Sequence, residues 1–445
     1  MTRDIDMEIG GKQGSRLTGR LFSKMMDLLG EELETSNEGF KFSNELLVAI
    51  LLWVDDVVTC VEGTEEQQQI LERIHQFAKR HKLKWGQEKC RVMRVGRHEE
   101  EQNEWKIGEM TIQECNSYKY LGDVISSDGK NTKNLETRKD KINASTISIN
   151  TIAEGEILSK IESKVLLELH EKVNLPGLLI NCESWTLNKS EKDELERIEI
   201  QAIKYLFDLP IHTPTPALIF NFGTLYTNLR VEQSQMIYLH KVLCREQSHW
   251  TNQILKNLKD KNAGWYKKIV EILNKYDLET NFQTIKDTTI GEWRRKVKKG
   301  IEKANKERLY HDLYKHDKGT STLKTKTASI SQHISDQNYS RKPLPEILGC
   351  NKLETKTLII ARYGMLECGK NFKGSIKENC EECNTLDNED HRMNYCRKYS
   401  DINFSDTDVK VDFSRIYSRD LNDIREIIPK ISQVWNIKNA HGSMN

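Results

Sequence analysis

Residues 46–54 read Leu-Leu-Val-Ala-Ile-Leu-Leu-Trp-Val, the longest apolar run in the chain, and Asp55 and Asp56 end it before Val57-Val58-Thr59 resumes. Adjacent carboxylates between apolar flanks repel each other and resist desolvation. They require a divalent cation, a basic partner, or a turn that exposes them. The pattern predicts two buried strands, 46–53 and 57–61, joined by a tight turn that carries the pair. Such a turn presents oxygen ligands at a sheet edge, where Mg²⁺ can be held with help from substrate phosphates. From these residues alone, a polar turn that happens to be Asp-Asp reads the same way.

The surrounding sequence is organised around this run. Leu17, Leu21, Phe22, Met25, Met26 and Leu29 recur at spacings of three and four, which predicts a helix of about three turns. Behind the acids, Ile70, Leu71, Ile74, Phe77, Ala78 and His81 define one face of an amphipathic helix. Short β-like runs follow at 89–95, 105–107, 110–112 and 118–125, with Gly108 and Asp128-Gly129 as turn signals. This order outlines a small α+β domain over residues 1–130.

Residues 131–260 read as helical almost throughout, with breaks at 174–176 and at 210–216, where three of the seven prolines fall. Residues 261–345 continue as polar helix and become rich in Ser, Thr and Lys near 319–332, the composition of a mobile linker. Between Trp293 and Lys326, twelve Lys or Arg stand against four Asp or Glu, interleaved with Trp293, Tyr310 and Tyr314. Such a segment suits phosphate contact and base stacking, with simple solvation the plainer alternative. A last region, 346–445, ends in a helix bearing Leu421, Ile424, Ile427, Ile428, Ile431, Val434 and Trp435, interrupted by Pro429.

Composition excludes several classes. Lys plus Arg (68) and Asp plus Glu (67) nearly cancel, so any basic surface has to be local. The start, Met1-Thr2-Arg3-Asp4, has no apolar core, and no secretory signal is expected. Nine apolar residues are too few to cross a bilayer, so no membrane partner is expected. Ten cysteines are scattered through a long chain, which favours a reducing, intracellular compartment over a disulfide scaffold.

Three of those cysteines carry a pattern of their own: Cys380-x₂-Cys383-x₇-His391-x₄-Cys396. Three thiolates and an imidazole complete the tetrahedral shell of a structural Zn²⁺ site, and metal binding would supply much of the folding energy of so short a loop. Fortuitous spacing or a Cys380–Cys383 redox pair are the alternatives. Cys350 and Cys368 fit no complete ligand set and read as buried thiols.

Several motifs stand in one order. Gln13-Gly14 leads into Leu21-Phe22; Trp53-Val54-Asp55-Asp56 follows; then come Lys84-Trp85-Gly86-Gln87-Glu88-Lys89-Cys90 and Tyr118-Lys119-Tyr120-Leu121-Gly122. This series resembles the later palm motifs of the reverse transcriptases of non-LTR (LINE-type) retrotransposons. Downstream, Cys182-Glu183-Ser184-Trp185 and the helix ending at Leu209-Pro210 resemble the thumb and its extension in these elements. Ile359-Ile360-Ala361-Arg362-Tyr363-Gly364 and the Cys-Cys-His-Cys set resemble their C-terminal zinc knuckle with the short motif that precedes it. The resemblance implies an α+β fold: a truncated palm, a mainly α-helical thumb and extension, and a small knuckle.

It also implies an activity, RNA-directed DNA synthesis, on an RNA template and a DNA primer with deoxynucleotides. By resemblance, Asp55 and Asp56 are Mg²⁺ ligands, and Gln13, Gly14 and Lys89 line the nucleotide site. Tyr120, Leu121 and Gly122 grip the primer, and a ribonucleoprotein of nucleus or cytoplasm is expected. The departures are specific. Trp53 and Val54 stand where the family usually has Tyr or Phe and then Ala, and Arg16-Leu17-Thr18-Gly19 stands where it has Pro-Leu-Ser-Pro. Twelve residues precede Gln13, too few for the upstream strand that carries another metal-binding aspartate. The expectation is a chain inactive as a polymerase on its own, the alternative a non-catalytic zinc-knuckle remnant that binds RNA or DNA.

Overall fold

Ser15 starts the first helix, α1 (Arg16–Glu34), by accepting the Leu17 amide with its hydroxyl. The computed structural model describes residues 15–36, 38–43, 46–96, 104–153, 161–315, 342–368, 379–399, 411–418 and 420–437. Gln13, Gly14 and the 319–332 stretch lie outside them. The contacts divide the chain into two units, Met1–Lys133 with Lys241–Lys268, and Asn134–His240 with Ile269–Asn445.

In the first unit α1 runs longer than its apolar periodicity predicts, because Met26, Leu29 and Leu33 bury one side of it. Leu17 and Leu21, counted in that periodicity, are 64 % and 61 % exposed. The predicted strand 46–53 is two strands, and neither these nor the strand after the acidic pair is buried as expected: their residues are half-buried or exposed, because a two-stranded ladder packs on the core with one face only. β1 (Phe40–Ser43) pairs with β2 (Leu46–Val48), and β3 (Ile50–Trp53) pairs with β4 (Asp56–Thr59). The chain changes partner at buried Ala49, whose carbonyl accepts from Cys60 N–H at 3.0 Å.

Helix α2 (Thr64–Arg80) buries Ile70, Leu71, Ile74, Phe77 and Ala78 as its pattern predicts, with Glu65 and Glu66 in the first turn and Lys79 and Arg80 in the last, matched to the helix dipole. His81 is not on that buried face. It is the exposed C-cap, its ring 4.3 Å from that of Phe77. Three more strands, β5 (Arg91–Val92), β6 (Trp105–Ile107) and β7 (Met110–Glu114), form a sheet in the order β5-β7-β6. The run 118–125 is a hairpin rather than one strand, β8 (Ser117–Tyr120) with β9 (Asp123–Ser126).

The second unit is helical apart from isolated bridges among its described residues. It contains α3 (Thr132–Ala153) from Asn134 onward, α4 (Ser163–Leu169), α5 (Leu175–Leu179), α6 (Lys189–Leu206) and α7 (Thr215–Phe222). The predicted break at 174–176 is absent. A π turn, His170–Asn174, joins α4 to α5, and the Leu175 amide reaches back to the His170 carbonyl. Pro176 follows directly on this π turn as the second residue of α5. The fully buried guanidinium of Arg138 donates to the carbonyls of Gly177, Leu178 and Ile180 and stacks on Trp185 at 4.7 Å. The Cys-Glu-Ser-Trp motif is therefore a packing element: Trp185 joins Leu135, Ile142, Leu195 and Ile198 in the core.

Helices α8 (Thr227–Leu243), α9 (Trp250–Asp260), α10 (Gly264–Lys275), α11 (Phe282–Asp287) and α12 (Ile290–Lys315) follow. Trp293, expected to stack bases, is 1 % exposed, and its indole N–H donates to the Met236 carbonyl at 2.8 Å. It repeats with Val297, Ile301, Asn305 and Leu309 along the buried side of α12. The remaining helices are α13 (Pro345–Gly349), α14 (Lys352–Arg362), α15 (Glu389–Asn394) and α16 (Leu421–Val434). Helix α16 continues through Pro429 instead of stopping there. Cys350 and Cys368 are both buried, and burial pushes the Cys350 thiol up to about 12. No helix among the described residues is long and apolar enough to cross a membrane.

Gly223 ends α7 at φ 60, and a Cβ there would lie 2.2 Å from the backbone carbon of Lys342. Gly223→Ala is expected to destabilise the second unit by about 2–4 kcal/mol, because left-handed strain adds to a clash with backbone that cannot swing away. Urea unfolding followed by circular dichroism measures this, and an unchanged midpoint would refute it.

Candidate functional site

The acidic pair sits at the tip of the β3–β4 hairpin. Trp53 pairs with Asp56, leaving Val54 and Asp55 as the two turn residues. Val54 adopts φ 56, a conformation that favours glycine and is strained for a β-branched side chain. The hairpin is anchored along its length: Ile50 at its base and the Leu52–Val57 pair next to its tip pack on the core of Met26, Leu29, Leu33, Ile70, Ile74 and Phe77. Helix α1 comes so close that a Cβ on Gly30 would meet Leu52 at 3.3 Å. The tip is solvated, with Trp53 62 % exposed, Val54 42 % exposed, and both aspartates exposed. Two neighbouring carboxylates exposed at a hairpin tip offer the oxygen donors that a hard divalent cation such as Mg²⁺ takes.

The β8–β9 hairpin lies beside it. Leu121 (φ 45) and Gly122 (φ 96) form its two-residue turn, both in the left-handed range that the twist of a tight hairpin requires. Tyr118 and Tyr120 alternate on one face of β8. Burial raises both phenols, and the carboxylate of Asp56 is close enough to raise them further. The Tyr118 hydroxyl donates to the Lys89 carbonyl at 2.9 Å. Asp56, Tyr118, Tyr120 and the main chain of Lys89 thus share one neighbourhood, with the Lys89 side chain exposed. Tyr118 opens the Tyr118–Gly122 motif but has no expected role of its own; its i, i+2 relation to Tyr120 on a strand is the signal that joins it to this site.

The second site is the cysteine–histidine cluster. The ligand atoms of Cys380, Cys383, His391 and Cys396 all lie within 4.8 Å of one another. The sulfurs of Cys380 and Cys396 are 3.6 Å apart. His391 Nε2 is buried without a hydrogen bond, while Nδ1 lies 3.2 Å from the Thr385 hydroxyl. An orphaned imidazole nitrogen among three sulfurs, with the other nitrogen held by a hydroxyl, fits a tetrahedral Zn²⁺ and its outer shell. Burial pushes the Cys380 thiol up, but the neighbouring His391 imidazole and the amides of Cys383 and Glu382 outweigh it and bring it to about 7. Burial raises Cys396 to about 11.

Local structure prepares these positions. The Cys380 amide bonds to the Thr385 carbonyl at 2.8 Å, the Asn384 amide to Cys380 at 2.8 Å, and Asn384 takes φ 51 to close the loop. Asn388 caps α15 by accepting the His391 amide at 2.7 Å. The cluster is docked on the rest of its unit. α15 packs on α16, Asn394 exchanges hydrogen bonds with the Val411 backbone, and Arg392 pairs with Asp387 while lying 5.7 Å from the Trp435 ring.

The motif before the cluster is buried too. Arg362 donates to the Ile416 carbonyl (2.7 Å), Asn221 (3.1 Å), Glu346 (3.0 Å) and the Ser418 carbonyl (3.3 Å). Tyr363 accepts from the Asn221 amide at 2.9 Å.

Residues 7–125 match the family model for reverse transcriptase (RNA-dependent DNA polymerase). The match takes in both hairpins and roughly a quarter of the chain; the cysteine–histidine cluster lies beyond it. No curated protein matches.

Proposed function

We propose that this chain is part of a non-LTR retrotransposon reverse transcriptase, with a palm remnant over residues 1–130 and a zinc knuckle at 380–396. The observation that carries the reading is the exposed Asp55-Asp56 pair at a hairpin tip beside the Tyr118–Tyr120 strand, inside the segment similar to reverse transcriptases. Asp55 and Asp56 hold Mg²⁺, which when bound stabilises the attacking and leaving oxygens of phosphoryl transfer. The hairpin fixes where these carboxylates stand, because the Leu52–Val57 pair beside them packs on the core. Tyr120, Leu121 and Gly122 meet the primer strand, Gln13 and Gly14 the incoming deoxynucleotide, and Lys89 its triphosphate. Cys380, Cys383, His391 and Cys396 hold Zn²⁺, and the knuckle contacts the RNA template in a ribonucleoprotein of nucleus or cytoplasm.

Two carboxylates on one turn are fewer than a two-metal site requires, so the chain by itself is inactive. Two measurements test this. Fe²⁺ substituted for Mg²⁺, with peroxide, is expected to cleave the backbone near residues 53–57, and Asp55→Asn with Asp56→Asn to abolish that cleavage. Cleavage elsewhere, or none, would remove the metal assignment. Primer extension on an RNA template with Mg²⁺ should yield no product; robust synthesis that Asp55→Ala abolishes would overturn the inactivity. RNA binding by the knuckle in the absence of any metal at the hairpin would instead favour the non-catalytic remnant.

A further inference from the structure

The thiols and the imidazole of the cysteine–histidine cluster come from separate short pieces of chain that have to be brought into register. Cys380 and Cys383 stand on a loop that closes where the Cys380 amide donates to the Thr385 carbonyl at 2.8 Å, beside a bridge between Asn379 and Leu386. His391 stands on α15, whose first turn Asn388 caps, and Cys396 follows that helix. Thr385 touches both pieces. Its carbonyl holds Cys380, and its hydroxyl lies 3.2 Å from His391 Nδ1. Asn384, at φ 51, makes the turn that brings Thr385 to this place.

We infer that Thr385 is a positioning residue for the metal, acting through His391; the inference rests on the zinc reading of the cluster. The argument lies in the two nitrogens of the ring. Nε2 is buried and makes no hydrogen bond, so its lone pair is the one free for a cation. A neutral imidazole carries a single ring proton, which then belongs on Nδ1, where the Thr385 hydroxyl accepts it. This hydrogen bond selects the tautomer that can bind metal and fixes the rotation of the ring. The other tautomer would put a proton where the metal has to sit. Because Thr385 is also tied to the Cys380 amide, the ring is oriented relative to the thiol loop and not merely to its own helix.

The experiment measures the zinc dissociation constant of the full chain by competition with a chromophoric chelator. Wild type is compared with Thr385→Val, Thr385→Ala and Thr385→Ser. Valine keeps the shape without the hydroxyl, alanine loses both, and serine keeps the hydroxyl. Every variant keeps the backbone carbonyl that closes the loop on Cys380, and Thr385 is exposed, so truncation leaves no hole in the core. The valine and alanine variants are expected to bind zinc about 10–100-fold more weakly, the loss typical of removing a hydrogen bond behind a metal-binding histidine. Serine should restore wild-type affinity, a rescue that a purely space-filling role would not give. Wild-type affinity in the valine and alanine variants, or a serine variant as weak as alanine, would overturn the inference. Should valine alone misfold by circular dichroism, the alanine–serine comparison decides. A wild-type chain that holds no zinc would remove the site itself and the positioning role with it. Zinc binding that ignores the hydroxyl would remove the positioning role alone.

Discussion

Cys383→Ser is expected to abolish zinc binding and to loosen the C-terminal part of the second unit along with it. The wild-type chain should hold about one zinc, because three sulfurs and an orphaned imidazole nitrogen already lie within 4.8 Å of one another. Removing one thiolate from so short a loop removes most of what folds it. The cluster is also docked, through α15 on α16 and through Arg392 beside Trp435, whose indole donates to the Glu367 carbonyl at 3.1 Å. Zinc loss should therefore change Trp435 fluorescence and open residues 379–399 to protease, which a freestanding knuckle would not do to a distant helix. Zinc is measured by mass spectrometry of the metal, the rest by fluorescence and proteolysis. A wild-type chain that binds no zinc and forms a Cys380–Cys383 disulfide would reject the site; zinc loss with Trp435 unmoved would reject the docking.

Arg362→Met should destabilise the second unit by about 3–5 kcal/mol, the cost typical of breaking a buried ion pair from one side. Arg362 and Glu346 are buried to 5 % and 2 % side-chain exposure, and the guanidinium also satisfies Asn221 and two backbone carbonyls. Methionine has comparable volume but leaves the Glu346 carboxylate unpaired in the interior. Arg362→Met/Glu346→Met should then recover part of the loss, since the orphaned charge is gone. Arg362→Lys should fall between, as an ammonium cannot span all four acceptors. Denaturant midpoints give the comparison. A double variant less stable than Arg362→Met would show that packing, not the stranded charge, dominates.

The motif containing Arg362 illustrates the limit of reading a chain residue by residue. Its apolar-basic-aromatic string was visible at once, but nothing in it told that the arginine points inward to join α7, α13 and the segment around Ile416. Trp293 is the same lesson with opposite sign: lying among cations it read as a base-stacking residue, yet the period of four shared with Val297, Ile301 and Leu309 belonged to a buried stripe. Pro176 looked like a break, and a π turn absorbed it. Ala49 divides what read as one strand, because one extended run serves two partners.

Local chemistry did speak clearly where the interaction range was short. The face of α2 from Ile70 to Ala78, the β6–β7 hairpin around Gly108, a tight turn at the acidic pair (though at Val54 and Asp55, with Asp56 already in the second strand), and the Cys-Cys-His-Cys spacing all depend on neighbours within a few turns of chain, and the amino-acid order was enough to indicate them. What lies beside what across long separations was decided by folding: Asp56 next to Tyr118 and Tyr120, the Lys89 carbonyl on the Tyr118 hydroxyl, and Arg362 reaching from α14 to Asn221. Burial and the pairing of distant charges are properties of the packed interior, where each group's partner is chosen by the close packing of its unit rather than by adjacent sequence.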